Sequence, residues 1–155
     1  MRISFIFLFM ALLLVQCKKE KHVAQSAGNG ASKGSITKVE LPRIKVQADG
    51  GANEASDNFT LNDARIVGDT LIVDVSFGGG CKEHDFELYS NGMWMKSLPP
   101  KMAIRLVHRA HEDNCRAYLT QTRKFLLTDA RYNGQKQVVI LLDAGGEPRS
   151  ISYNY

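Results

Sequence analysis

Between Phe59 and Tyr155 apolar residues recur with a period of two almost throughout, and no ten-residue stretch there carries the spacing of an amphipathic helix. A side-chain period of two belongs to extended chain with one face buried, so this region folds by stacking strands. Strands are expected over 63–67 and 70–77, joined as a hairpin by Gly68-Asp69, with Leu71, Val73, Val75 and Phe77 on one face. A third covers 85–89, with Phe86 and Leu88 inward. Met102 to Arg109 sets Met102, Ile104 and Leu106 on one face and Arg105 and Arg109 on the other, and Ala117 to Leu127 is a longer strand with a polar centre. Val138 to Leu142 is apolar on both faces, as a central strand is, and Gly145 to Pro148 turns into a last strand at 150–155. Six or seven short strands at regular turn spacings read as an all-β fold, an antiparallel β-sandwich of immunoglobulin-like size, with a small open β-barrel as the alternative. The domain is expected to span 59–155, enough for one core.

Upstream the pattern changes. Residues 18–58 are poor in large apolar side chains and rich in Gly, Ser, Ala, Asn and Lys, so they bury too little to offset their ordering entropy and read as a flexible tether. Ile36 to Val46 interrupts this with alternating apolar residues, an edge strand in which Pro42 suits the edge position. Residues 1–17 are different again: Arg2 precedes an apolar run from Ile3 to Val15, broken by Ser4, that stops at Gln16-Cys17 before Lys18-Lys19-Glu20-Lys21. About thirteen residues at about 1.5 Å each fall short of a bilayer core of about 30 Å, which makes this an export signal and not a membrane span.

A cysteine closing such a run after Leu14-Val15-Gln16 resembles the lipobox of bacterial lipoproteins, where the cysteine sulfur is acylated and becomes the new N-terminus. A small residue is usual where Gln16 stands, and an ordinary secretory signal cleaved elsewhere is the alternative. The resemblance implies lipidation, palmitate included, at Cys17, a membrane partner through that lipid, and residence in the bacterial cell envelope. Lys18 in place of Asp after the cysteine looks like outer-membrane sorting.

Export puts the chain where disulfides persist, and with Cys17 acylated two of the three cysteines remain, Cys81 and Cys115. The formal charge of +4 falls to about +3 without Arg2, too little to argue for nucleic acid. Arg105, Arg109 and Arg116, with Arg123 and Lys124, form a basic set, either a solvated face or a surface for an anionic envelope ligand such as a polysaccharide or lipid headgroup. No cofactor is expected. Gly78-Gly79-Gly80 lacks the Lys-Ser/Thr and the helix of a phosphate loop. Its glycines instead allow a sharp reversal into Cys81.

Strand alternation singles out one end of the domain. Extending the inward face of Phe86 and Leu88 back by two residues reaches His84, and extending that of Ile104 and Leu106 forward by two reaches His108. Both histidines are expected inside, at strand ends beside cysteine-bearing turns, and this end is the functional end if there is one. In one reading Cys81 and Cys115 form a disulfide that closes a loop of about 35 residues and adds roughly 3 to 4 kcal/mol. In the other, Cys81, His84, His108 and Cys115 bind zinc or copper through thiolate and imidazole, with His111 near by. A cysteine nucleophile, Cys81 beside His84 and Asp85, is the weakest reading, because Cys115 stands ready to oxidise it; no enzyme is expected. Trp94, in Asn91-Gly-Met-Trp-Met-Lys96, is a lid over the sandwich end or a contact surface.

Gly79-Gly80-Cys81, His84 and Phe86, followed by Asp113 and Cys115, resemble exported bacterial lipoproteins that carry Gly-Gly-Cys-x-x-His-x-Phe and a later Asp-x-Cys. The resemblance implies a lipoprotein without an assigned activity, and no catalytic residues.

Overall fold

The computed structural model describes residues 40–155; the expected signal at 1–17, the lipidation at Cys17 and the tether over 18–39 lie outside the described residues. Nine strands follow in order: β1 Ile44–Val46, β2 Thr60–Val67, β3 Thr70–Gly79, β4 Asp85–Ser90, β5 Trp94–Met95, β6 Lys101–Arg109, β7 Ala117–Leu126, β8 Gln137–Asp143 and β9 Arg149–Asn154, with a 3-10 turn, Thr128–Ala130, before β8. They form a larger sheet, β1-β4-β6-β8-β9 with β5 also on β6, and a smaller one, β2-β3-β7. Neither closes into a barrel. The result is the all-β sandwich expected from the alternation, and each strand expected downstream of 59 is present. Leu71, Val73, Val75, Phe77 and Phe125 of the smaller sheet meet Leu88, Ile104, Leu106, Ile140 and Leu142 of the larger in one buried cluster.

The expectation of purely antiparallel pairing is corrected in two places. β6 and β8 pair in parallel, Lys101 opposite Val139 and Ile104 opposite Leu142, and β1 runs parallel to β4, Ile44 opposite Leu88. The chain leaves the larger sheet after β6, enters the smaller one as β7, and returns through the 3-10 turn to the end where β6 began, so β8 runs with β6.

The tether expectation over 18–58 is corrected across its described part. Of the edge strand expected at 36–46, Ile44–Val46 forms, and it does lie at a sheet edge. Residues 47–58 then cross the outer face of the larger sheet as a strap. The Gln47 amide donates to the Ser90 carbonyl at 2.9 Å, and the Asp57 amide donates to the His108 carbonyl at 2.9 Å. Gly51 passes so close to β4 that a Cβ would sit 2.6 Å from that of Tyr89, and its φ of +79° suits glycine. The strap covers Tyr89 and Val107, which face away from the core yet are buried. Its far end takes over beside His108, because the β8 pairing of β6 has stopped at Arg105.

Candidate functional site

The three glycines leave β3 and reverse the chain into Cys81. Gly79 and Gly80 have φ of 144° and 114°, and a Cβ on Gly79 would lie 2.5 Å from His84 Nε2. This reversal brings three successive amides, those of Gly80, Cys81 and Lys82, onto one oxygen, Asp113 Oδ2, at 2.8, 2.8 and 2.9 Å. Asp113 comes from the turn after β6, where His111 and Glu112 adopt left-handed φ of 52° and 57°. Its other oxygen accepts from the Cys115 amide at 2.9 Å. With its side chain 1% exposed, this carboxylate is held well below the usual range by the Cys115 and Lys82 amides first, against the opposing effect of burial.

Cys81 and Cys115 are disulfide-bonded, with Cα atoms 5.9 Å apart and a separation of 34 residues in the chain. The covalent staple and the carboxylate thus join the same two loops. Behind them stand the two histidines at the depth that alternation assigned, His84 3% and His108 1% exposed. His84 lies against Phe77 (4.6 Å between ring centroids) and His108 against Phe86 (4.5 Å).

Asp113 fixes the protons. An ionised carboxylate only accepts, so His84 Nε2–H donates to Asp113 Oδ2 at 3.2 Å. In the neutral ring Nδ1 is then the acceptor, and His108 Nε2–H donates to it at 2.8 Å. This leaves His108 Nδ1 as a buried lone pair with no partner among the described residues. Burial, and then the neighbouring His84, push the His108 pKa down.

Of the two readings of these residues, the disulfide is the one present, and the alternative metal set, Cys81, His84, His108 and Cys115, is not available: the sulfurs are bonded to each other, and both ring nitrogens of His84 are in use. Cys81, Asp113 and Cys115 do cluster within 4.8 Å, but the cluster offers no thiolate and its carboxylate is saturated by amides. His111 stands apart, exposed, 2.7 Å from Asp85.

Nor do Arg105, Arg109 and Arg116 form one open cationic surface. Arg105 donates to the Gly51 carbonyl and Arg109 pairs with Glu54 and Glu87, so both hold the strap in place. Glu87 is buried enough to raise its pKa, yet Lys45, Tyr89 and Arg109 bring it down to about 2. Arg116 is exposed. Arg123 donates to the His84 carbonyl at 2.8 Å and lies over Phe86. It borders a groove of about 770 Å³ between β1, β4 and β7, in which Ile44, Phe86 and Phe125 supply the apolar lining.

No protein-family model matches the chain, and no curated protein matches it. Solved structures share the fold. One is a protein of unknown function, DUF1344, from Bacteroides vulgatus, with a TM-score of 0.53 and 16% identity over 74% of this chain and 56% of that one. Another is a NigD-like immunity protein from Bacteroides caccae, with a TM-score of 0.51 and 14% identity over 73% of this chain and 58% of that one. This chain spans less than two thirds of either, and at such identity the likeness is one of fold.

Proposed function

We propose that the chain is an exported lipoprotein of the bacterial cell envelope, acylated on Cys17 and sorted to the outer membrane, whose β-sandwich is a binding or structural module and not an enzyme. The observation that carries this reading is the Cys81–Cys115 disulfide. Such a bond, with Cys81 at the surface, persists in oxidising compartments. It also withdraws the two thiols that a thiolate metal centre or a cysteine nucleophile requires. The apolar run ending at Cys17 supports export and anchoring. The groove between the sheets supports binding, since it is concave, partly apolar and bordered by charged side chains of both signs. One structural neighbour bears the name of an immunity protein; at 14% identity the likeness is one of fold and lends this chain no partner.

Metabolic labelling with palmitate tests the anchor. The wild-type chain is expected to carry label and to partition into detergent, and Cys17→Ala to lose both. A variant that stays labelled and in the detergent phase contradicts the assignment.

A further inference from the structure

At the end of the sandwich away from the disulfide, apolar side chains point outward. Among the described residues the large apolar side chains left exposed are Val46, Val67, Met93, Met95, Leu98 and Tyr132, all toward this end, and Tyr118, toward the other. Three of them belong to one stretch. Met93 is 70%, Met95 46% and Leu98 89% exposed. Between them Trp94 packs edge-on against Tyr132, with centroids 5.0 Å apart, and Val46 Cγ1 lies beside Gly92. β5 pins the stretch to the start of β6, Trp94 opposite Met102 and Met95 opposite Lys101, so these side chains are presented by a fixed hairpin.

The charges carried by the stretch itself have one sign. From Asn91 to Met102 there is no acidic residue and there are two lysines, Lys96 and Lys101. Lys136 stands just before β8, whose first turns lie at the same end. Among the described residues none of the three lysines takes part in an ion pair. Of the acids at this end, Asp69 is held by Arg131 at 2.6 Å and Asp129 by Arg43 at 3.1 Å, while Asp49, near Asn91, accepts from the Gly51 and Asn53 amides at 3.0 and 3.2 Å.

We infer that this end is a membrane-contact surface, in which Met93, Met95 and Leu98 enter the interfacial region of an anionic bilayer, Tyr132 and the exposed part of the half-buried Trp94 lie at the headgroup level, and Lys96, Lys101 and Lys136 meet lipid phosphates. Apolar tips, amphipathic rings and unpaired cations together are what an interfacial site requires. A protein partner would be served by the apolar area alone; the uncompensated lysines around it favour the anionic bilayer. The inference extends the proposed envelope function by naming a second contact with the membrane, and it does not depend on acylation at Cys17.

Trp94 is the single tryptophan of the chain and lies half-buried between the core and this surface, so its emission changes when the surface is covered while the fold is kept. The purified full chain is mixed with vesicles of phosphatidylglycerol and phosphatidylethanolamine, with and without brominated acyl chains, and with phosphatidylcholine vesicles. The expected result is a blue shift and bromine quenching of Trp94 on the anionic vesicles, lost at about 0.5 M salt, where screening shortens to a few ångströms. Leu98→Ser and the double change Lys96→Glu, Lys101→Glu are each expected to weaken this contact about tenfold. Leu98 and Lys96 project from the surface and Lys101 is half-buried, and melting midpoints confirm that the variants are folded. No quenching on anionic vesicles, quenching unchanged in either variant, or a blue shift that grows with protein concentration without lipid overturns the inference, the last by showing self-association. Anchoring is read separately by sedimentation with phosphatidylcholine vesicles. A chain that sediments with them while Trp94 stays unquenched retains the anchor and loses the contact surface, and the reverse pattern retains the surface and loses the anchor.

Discussion

Where β4 starts and β6 finishes, the sandwich turns its polar groups inward: two histidines, a carboxylate and three converging amides are packed behind a disulfide. Where β5 pairs with the start of β6, it turns methionine, leucine and valine side chains outward among unpaired lysines. The same two strands, β4 and β6, run toward both ends, so the contrast comes from the loops. Gly78 to Lys82 and Ala110 to Cys115 wrap a buried anion and tie themselves together. Asn91 to Pro100 is pinned by two residues of β5 and leaves its apolar side chains uncovered. One end is expected to govern stability, and the other to be nearly silent in stability and active in contact.

The disulfide gives the largest expected effect. Replacing both Cys81 and Cys115 with alanine is expected to cost about 3 to 4 kcal/mol in denaturant melts, as expected for a closed loop of this length. Next stands Gly79→Ala. Its backbone lies at a φ of 144° and the new Cβ would press on His84 Nε2, so a loss of about 3 kcal/mol is expected from strain and overpacking combined. An unchanged midpoint would mean that the glycine reversal is not what positions the Asp113 cradle.

The histidine pair predicts a pH response. Burial lowers the folded-state pKa of His108 below its unfolded value near 6.5. Above that value the ring is neutral in both states and stability is full. As pH drops below it, the unfolded chain takes up a proton that the folded ring refuses, so stability falls, by at most about 1.4 kcal/mol per pH unit, until the folded ring titrates too. Melts between pH 7.5 and 5 are expected to show this slope, and His108→Leu to flatten it. The depressed pKa of Asp113 acts in a separate window, with stability lost below about pH 4, where the unfolded carboxyl takes its proton. The smallest effect belongs to the opposite end: Leu98→Ser, at a side chain 89% exposed, is expected to move stability by less than about 0.5 kcal/mol. A large loss there would break the comparison, because it would give the contact surface a structural role.

Much of the disulfide end was legible in the residues. Alternation carries two residues past Phe86 and Leu88 to His84, and past Leu106 to His108, because a strand keeps its period to its last residue. The reading stopped where side chains are set by distant chain. Asp113 has no local signal that three amides some thirty positions earlier will converge on it. Arg105 and Arg109 occupy outward positions, as alternation requires, but the outer face is covered by the strap, and residues 47–58 have a composition that suggests a tether. That segment is held by Gly51, by capping contacts and by ion pairs with Glu54, none of which shows as hydrophobic periodicity. The parallel β6–β8 pairing is likewise a matter of topology: a stretch such as Val138 to Leu142, apolar on both faces, reads the same in either direction.

The central claim is that the disulfide end is a closed staple, and the state of its sulfurs tests it most directly. Protein isolated from the envelope is denatured under chelator with a thiol reagent present, and the modified peptides around Cys81 and Cys115 are identified by mass. The account predicts that neither cysteine is modified until a reductant is added. Recovery of both as free thiols would contradict it and return Cys81, His84, His108 and Cys115 to the reading as metal ligands or as a reactive thiol site.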